Sequence, residues 1–276
     1  MNVSAVLKAF QAATYYSRDS EVDLFRCLAQ TIEQHSSAHF IDETHGNVAQ
    51  VEYLSPIRGT QRCEISDLLI VSKAPTEPYY RATFWQAKKQ KTFKWAPPRG
   101  NRIFDFGGQY NQWELLSWRP RIRGVGGFQP HSDILSNASS PSIGSFGVFY
   151  QNSGIVELNY SVAEMVVASS TSANTRMFIN ERLSTYALQK GDALACPDLE
   201  AFLKALSRHR IGAPLYIQSP TDKWLATYIS KKCENNGLDD FMVNFAGDGP
   251  EEPNLPMDGN EWDGISVLLL KTDPDN

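Results

Sequence analysis

Residues 64–91 read EISDLLIVSKAPTEPYYRATFWQAKKQK, and the strand-like runs at 65–71 and 79–88 within them decide the fold. Side chains alternate between the two faces of an extended chain, so Ile65, Asp67, Leu69 and Val71 share one face. A carboxylate among three aliphatic side chains needs a partner. On the second run Gln86 and Lys88 share a face, while Trp85 and Ala87 point the other way. If the two strands pair as a hairpin, Asp67, Gln86 and Lys88 converge at one place. Residues three apart point to opposite faces, so Glu64 joins this set only if the first strand begins later than residue 65.

Working outward, the segments 3–16 and 21–35 carry helical periodicity. Ser20 and Asp23 form a Ser-x-x-acid capping box at the start of the second helix. At about 100° per residue, Leu24, Phe25, Leu28 and Ile32 straddle the direction of Glu21, which therefore lies on the apolar, core-facing stripe. This favours an inward-facing acid. The competing reading is that a glutamate in the first turn is stabilised by the helix dipole and tips out to water.

Further strands are predicted at 48–54, 146–150, 155–160, 163–168 and 265–270, and helices at 109–118, 198–209 and 222–233. Loops are predicted at 96–108 and, rich in Gly, Ser and Pro, across the surface at 124–144. The expected architecture is α/β, with a central mixed sheet flanked by helices over residues 1–160. A smaller mixed extension with an acidic tail fills 161–276.

Composition narrows the classes. The chain has 276 residues, 42% apolar and 21% charged, so it is globular rather than disordered. Its longest apolar runs are a few residues, and its beginning lacks the basic-then-apolar order of a secretory signal. A cytoplasmic protein without membrane spans is expected. Four cysteines without a Cys-x-x-Cys pair argue against a disulfide framework or a thiolate zinc site and read as core thiols.

The net charge of -5 hides an asymmetry. Residues 234–276 hold eleven acids against the single Lys271, whereas residues 81–123 hold ten basic side chains against Asp105 and Glu114. Phe93, Trp95, Phe104, Phe106, Tyr110, Trp113 and Trp118 interleave that basic stretch, as stacking platforms for bases or as a local core. The stretch itself reads as a polyanion site or as a solvated basic face.

An acid-bearing helix, Asp67 on one strand and Gln86-x-Lys88 on the next together resemble the PD-(D/E)XK, restriction-endonuclease-like nuclease superfamily. The Gln-x-Lys form is similar to its Mrr-type members. The resemblance covers about residues 21–118. Ser66 stands where the motif name has proline, and Gln86 replaces an acid, which removes one negative ligand. The resemblance implies a restriction-endonuclease-like core and a metal-dependent DNA endonuclease. In that arrangement Glu21 and Asp67 are metal-side carboxylates, Gln86 is an oxygen ligand, and Lys88 positions or polarises the attacking water. Hard oxygen donors suit Mg²⁺, with Mn²⁺ as a substitute, and a lysine adds positive charge without occupying a metal position. Lys89, Lys91, Lys94, Arg99 and Arg102 would hold the DNA backbone. The resemblance further implies a bacterial anti-phage or restriction role with a sensor or ATPase partner, and a homodimer for cutting both strands.

Two other readings stay open. One is a catalytically inactive subunit of the same fold that binds DNA or assembles a defence complex. The other is a protein-interaction module in which Asp67 and Lys88 form a buried ion pair. Remaining signals are weaker. His35, His39 and His45 read as polar residues at a fraying helix end, and Gln109 and Gln112 as a polar surface face. The acidic tail reads as a solubilising face or as a cover for the basic stretch. Neither a Gly-x-Ser-x-Gly elbow nor a phosphate-binding Gly-rich loop is present.

Overall fold

A computed structural model describes residues 1–43, 49–90, 103–126, 128–180, 191–246 and 264–272. Helices α1 (Val3–Ala13) and α2 (Glu21–Gln34) open the chain. The expected capping box begins α2: Asp23 N–H donates to the Ser20 hydroxyl, and the Asp23 carboxylate accepts Ser20 N–H at 2.9 Å. Strands β1 (Ala38–Ile41), β2 (Gln50–Ser55), β3 (Gly59–Glu64), β4 (Leu68–Lys73), β5 (Tyr80–Lys89) and β6 (Ile103–Gln109) follow, and then α3 (Tyr110–Trp118). Next come β7 (Ile122–Gly124), β8 (Gly144–Asn152), β9 (Ile155–Val162), β10 (Val166–Ala168), β11 (Asn174–Asn180) and β12 (Ala195–Cys196). The chain closes with α4 (Leu199–Ser207), β13 (Ala213–Leu215), α5 (Lys223–Asn235), α6 (Asp239–Ala246) and β14 (Ser266–Lys271).

The protein is α/β. Its central mixed sheet has eight strands in the order β1-β14-β4-β5-β8-β9-β12, with β13 pairing the first residues of β5. Strands β4 and β5 are antiparallel, with Leu68 opposite Trp85. Strands β5 and β8 are parallel, with Gln86 opposite Phe146 and Lys88 opposite Val148, and α3 lies on the connection between them. Two three-stranded sheets, β10-β11-β6 and β3-β2-β7, complete the set.

Apolar cores cover both faces of the central sheet. Helices α1, α2 and α4 pack with Leu68, Ile70, Trp85 and Ala87 on one side. Helices α3, α5 and α6 pack with Leu69, Val71, Phe84 and Phe146 on the other, where the β3-β2-β7 sheet adds Val51, Tyr53 and Ile122. Each such large side chain contributes about 1.5–3 kcal/mol by leaving water. Coverage on both faces also explains why β4 starts at Leu68 rather than at residue 65. Its run Leu68, Leu69, Ile70 and Val71 is buried throughout, so simple alternation does not mark its start. Gly147 lets the buried Trp85 indole lie against β8, since a Cβ there would meet the ring at 1.9 Å.

Several sequence expectations are corrected. Residues 103–109 form β6 and pair with β11 instead of continuing a loop. Strands β1, β3 and β11 and helix α6 have no counterpart among the elements expected from sequence; β3 is polar, with Cys63 its one buried residue, so no apolar period marks it. The stretch 124–144 is irregular but not a surface loop, because Phe128, Ile134 and Leu135 are buried within it. The division near residue 160 does not follow the sheet: β12, β13 and β14 belong to it, and β14 lies between β1 and β4. The four cysteines are free, and Cys63, Cys196 and Cys233 are buried. Among the described residues no helix is long and apolar enough to cross a membrane.

Candidate active site

The hairpin register sets the geometry. Leu68 pairs with Trp85, and one step further along both strands brings Asp67 level with Gln86. Asp67 N–H donates to the Trp85 carbonyl at 3.1 Å, and Asp67 Oδ2 accepts Ala87 N–H at 2.7 Å. This clamps the acid against the main chain between Gln86 and Lys88. Lys88 Nζ folds back to donate to Gln86 Oε1 at 3.2 Å and to the Ala87 carbonyl at 2.7 Å. Glu21 reaches the same place from the first turn of α2. Its Oε1 lies 3.7 Å from Lys88 Nζ, and its Oε2 accepts Lys89 N–H at 3.2 Å. The structure thus brings Glu21, Asp67, Gln86 and Lys88 together.

Glu64 is a fifth member. It ends β3, and because β4 starts only at Leu68 its carboxyl stays within electrostatic reach of the others. Burial pushes it up to about 7; the charge of Asp67 adds to the rise, Lys88 opposes it, and Glu21 adds further. Burial likewise raises the Asp67 and Glu21 carboxyls, with Lys88 the main opposing influence on each. Among the described residues three carboxyls therefore share one ammonium in a partly dry setting, where each added negative charge is costly. Glu64 Oε1, Gln86 Nε2 and Ser66 Oγ are buried without a hydrogen-bond partner among the described residues. The sequence signal for Glu64 was its position before Asp67, readable only once the true strand start is known.

The basic stretch is less open than its charge count. Arg81 is buried, with Nη1 donating to Asp192 at 2.7 Å and to the Gly212 carbonyl at 2.8 Å. Arg121 pairs with Asp133 at 2.7 Å, and Arg123 pairs with Glu52. Lys89 turns its ammonium to the Asp19 carbonyl at 2.8 Å, over the Tyr16 ring. Lys91, Lys94, Arg99 and Arg102 lie outside the described residues, as do Phe93 and Trp95. Phe106 and Tyr110 are core residues rather than exposed platforms. Gln112 is buried, which corrects its assignment to the surface, whereas Gln109 is exposed. His39 faces Glu33 at 3.7 Å and meets the edge of Phe241; His45 falls outside the described residues. Most of the acidic tail, 247–263 and 273–276, falls outside them too.

Compared with family models, curated proteins and solved structures, the chain matches none.

Proposed function

We propose that this cluster is the catalytic centre of a metal-dependent DNA endonuclease with a PD-(D/E)XK, restriction-endonuclease-like core. The observation that carries the reading is the imbalance of charge among the described residues: Glu21, Glu64 and Asp67 gather around Lys88 at the end of two central strands. Among the described residues the site is short of positive charge, and its donors are hard oxygens of the kind Mg²⁺ or Mn²⁺ prefers. Among the described residues no three of His, Cys, Asp and Glu stand close enough to share one metal ion. That is compatible with Mg²⁺, which is commonly held by one or two carboxylates and keeps several waters. Asp67 with Glu64 or Glu21, and Gln86 through Oε1, would hold it. The bound metal would supply a nucleophilic water at neutral pH and neutralise charge developing on phosphorus.

The chain's own residues have distinct parts in this reading. Asp67 is held rigidly by Ala87 N–H, so its geometry is set before substrate arrives. Lys88 is pinned between Gln86, the Ala87 carbonyl and Glu21, where its ammonium orients a water and stabilises a developing oxyanion. Glu64, within electrostatic reach of Lys88 and Asp67, can accept a proton from that water where Glu21 rather than Glu64 holds the metal. Lys89, Lys91, Lys94, Arg99 and Arg102 supply backbone charge. A role in bacterial defence, with a sensor or ATPase partner and a cytoplasmic homodimer, belongs to the same proposal.

A second reading, a catalytically inactive DNA-binding or assembly subunit, is favoured by one observation. Lys88 already satisfies Gln86 and Ala87 and pairs with Glu21, which leaves the ammonium where a cation would compete. Wild type and Lys88→Ala are incubated with supercoiled and linear DNA in Mg²⁺, Mn²⁺ or EDTA. The nuclease reading expects metal-dependent nicking or cutting, slowed about 10²–10³-fold by the substitution. No cutting, with no Mn²⁺ bound by calorimetry, overturns it in favour of the inactive subunit.

A further inference from the structure

The β3-β2-β7 sheet has an outer face whose residues follow from its register. Glu52 lies opposite Arg62 on one side and opposite Arg123 on the other, and Leu54 lies opposite Thr60. Val51, Tyr53, Cys63 and Ile122 point into the core, so these outer residues face solvent. Arg121 flanks Ile122 on that same outer face. Leu54 is 71% exposed, and the side chains of Arg121 and Arg123 are 75% and 79% exposed. A groove of about 440 Å³ runs there, with Glu52, Leu54, Thr60, Arg121, Arg123 and Ser132 in its walls.

Two features give this face of the sheet, rather than the groove alone, a direction and an occupant. First, the outer row of β3 runs Thr60, Arg62, Glu64, so the face that starts at the hairpin turn ends inside the candidate active site. Second, its cations face solvent. Glu52 is one acid between two guanidiniums, and Arg62 has no carboxylate within ion-pair reach among the described residues. Arg121 and Arg123 are themselves largely exposed, although their partners Asp133 and Glu52 are only 20% and 27% exposed. Arg121 meets Asp133 at two points, 2.7 and 3.2 Å, and pairs at such solvent-facing cations contribute about 1 kcal/mol, which a phosphate can match. Six strand residues span about 20 Å, the length of about six base pairs of duplex.

We propose that this face is a backbone track for duplex DNA, with Arg62, Arg121 and Arg123 receiving phosphates and the Glu64 end delivering the strand to the active site. The track rests on the DNA-cleavage reading above but assigns binding to residues outside the 89–102 segment. Duplex binding by full-length protein is measured by fluorescence anisotropy across a salt series, without divalent metal. The variants are Arg62→Gln/Arg121→Gln/Arg123→Gln and, matched in charge, Lys204→Gln/Arg208→Gln/Arg210→Gln at the end of α4. Loss of three phosphate contacts lowers the slope of log affinity against log salt by about 2.7. The matched control should keep the wild-type slope. An unchanged slope in the first variant, while wild type binds, overturns the track and leaves the nuclease reading standing. Equal loss in both variants reduces the effect to net charge and also overturns it. Absence of salt-dependent binding by wild type overturns the DNA reading and the track together.

Discussion

The two ends of the β4–β5 hairpin both bury charge, and they balance it in opposite ways. At the far end Arg81 meets one acid: its Nη1 donates to Asp192 and to the Gly212 carbonyl, and Asp192 Oδ2 accepts the Ser140 hydroxyl at 3.0 Å. Beside it Ser72 and His209 Nδ1 lie 3.0 Å apart, and burial, with Arg81 and Lys73 adding, holds the imidazole down at about 4. At the near end Glu21, Glu64 and Asp67 share Lys88, and burial raises all three carboxyls. A matched pair is a fastening even though Arg81 Nε is buried without a hydrogen-bond partner among the described residues. An unmatched set costs folding energy, and a fold keeps such a cost mainly where charge is needed for something else.

The largest effect expected is at the fastening. Arg81→Met strands the Asp192 carboxylate and should cost about 3 kcal/mol in urea-induced unfolding, the low end for a broken buried pair because Asp192 is partly exposed. A loss below about 1 kcal/mol would erase the distinction between the ends.

Next comes pH, where the two ends should act with opposite sign. Glu64 is raised from 4.5 to about 7 in the folded protein. The native state therefore holds a proton that the unfolded chain releases, and stability falls as pH rises from about 4.5 through 7. His209 is lowered from 6.5 to about 4, so its contribution is intact above 6.5 and lost as pH falls towards 4. Each limb is worth about 1–3 kcal/mol. Glu64→Gln should flatten the alkaline limb and His209→Asn the acid limb in denaturation curves recorded from pH 4 to 8. If both substitutions flatten the same limb, the assignment of charge to the two ends is wrong.

A smaller change should sharpen the contrast. Asp67→Asn keeps an acceptor for Ala87 N–H but removes one of three like charges, so at pH 8 the free energy of unfolding in urea should rise by about 1 kcal/mol. Metal-dependent cleavage should be lost at the same time. A destabilised Asp67→Asn protein would mean that Asp67 and Lys88 are an ordinary buried ion pair.

Much of the near end was legible because its signals are local. The capping box fixes where α2 begins, and that start places Glu21 at the stripe facing the sheet. Gln86 and Lys88 sit two apart on a long strand, which aligns them whatever lies alongside. The far end was not legible. Arg81 looked like one more cation of a basic stretch until Asp192, more than a hundred residues away, was brought against it. Gln112 failed for the same reason: a polar side chain in a helix says nothing of which layer will cover it.

The sequence by itself determined the elements that carry their own period or cap, the α/β class, and the residue types that two neighbouring strands present on one face. Those features depend on backbone geometry within a few residues. Tertiary structure alone decided that β14 enters between β1 and β4, that β6 pairs with β11, and that Glu64 stands among the acids. Strand partners are chosen by long-range burial and main-chain hydrogen bonding, and neither leaves a pattern in the local sequence.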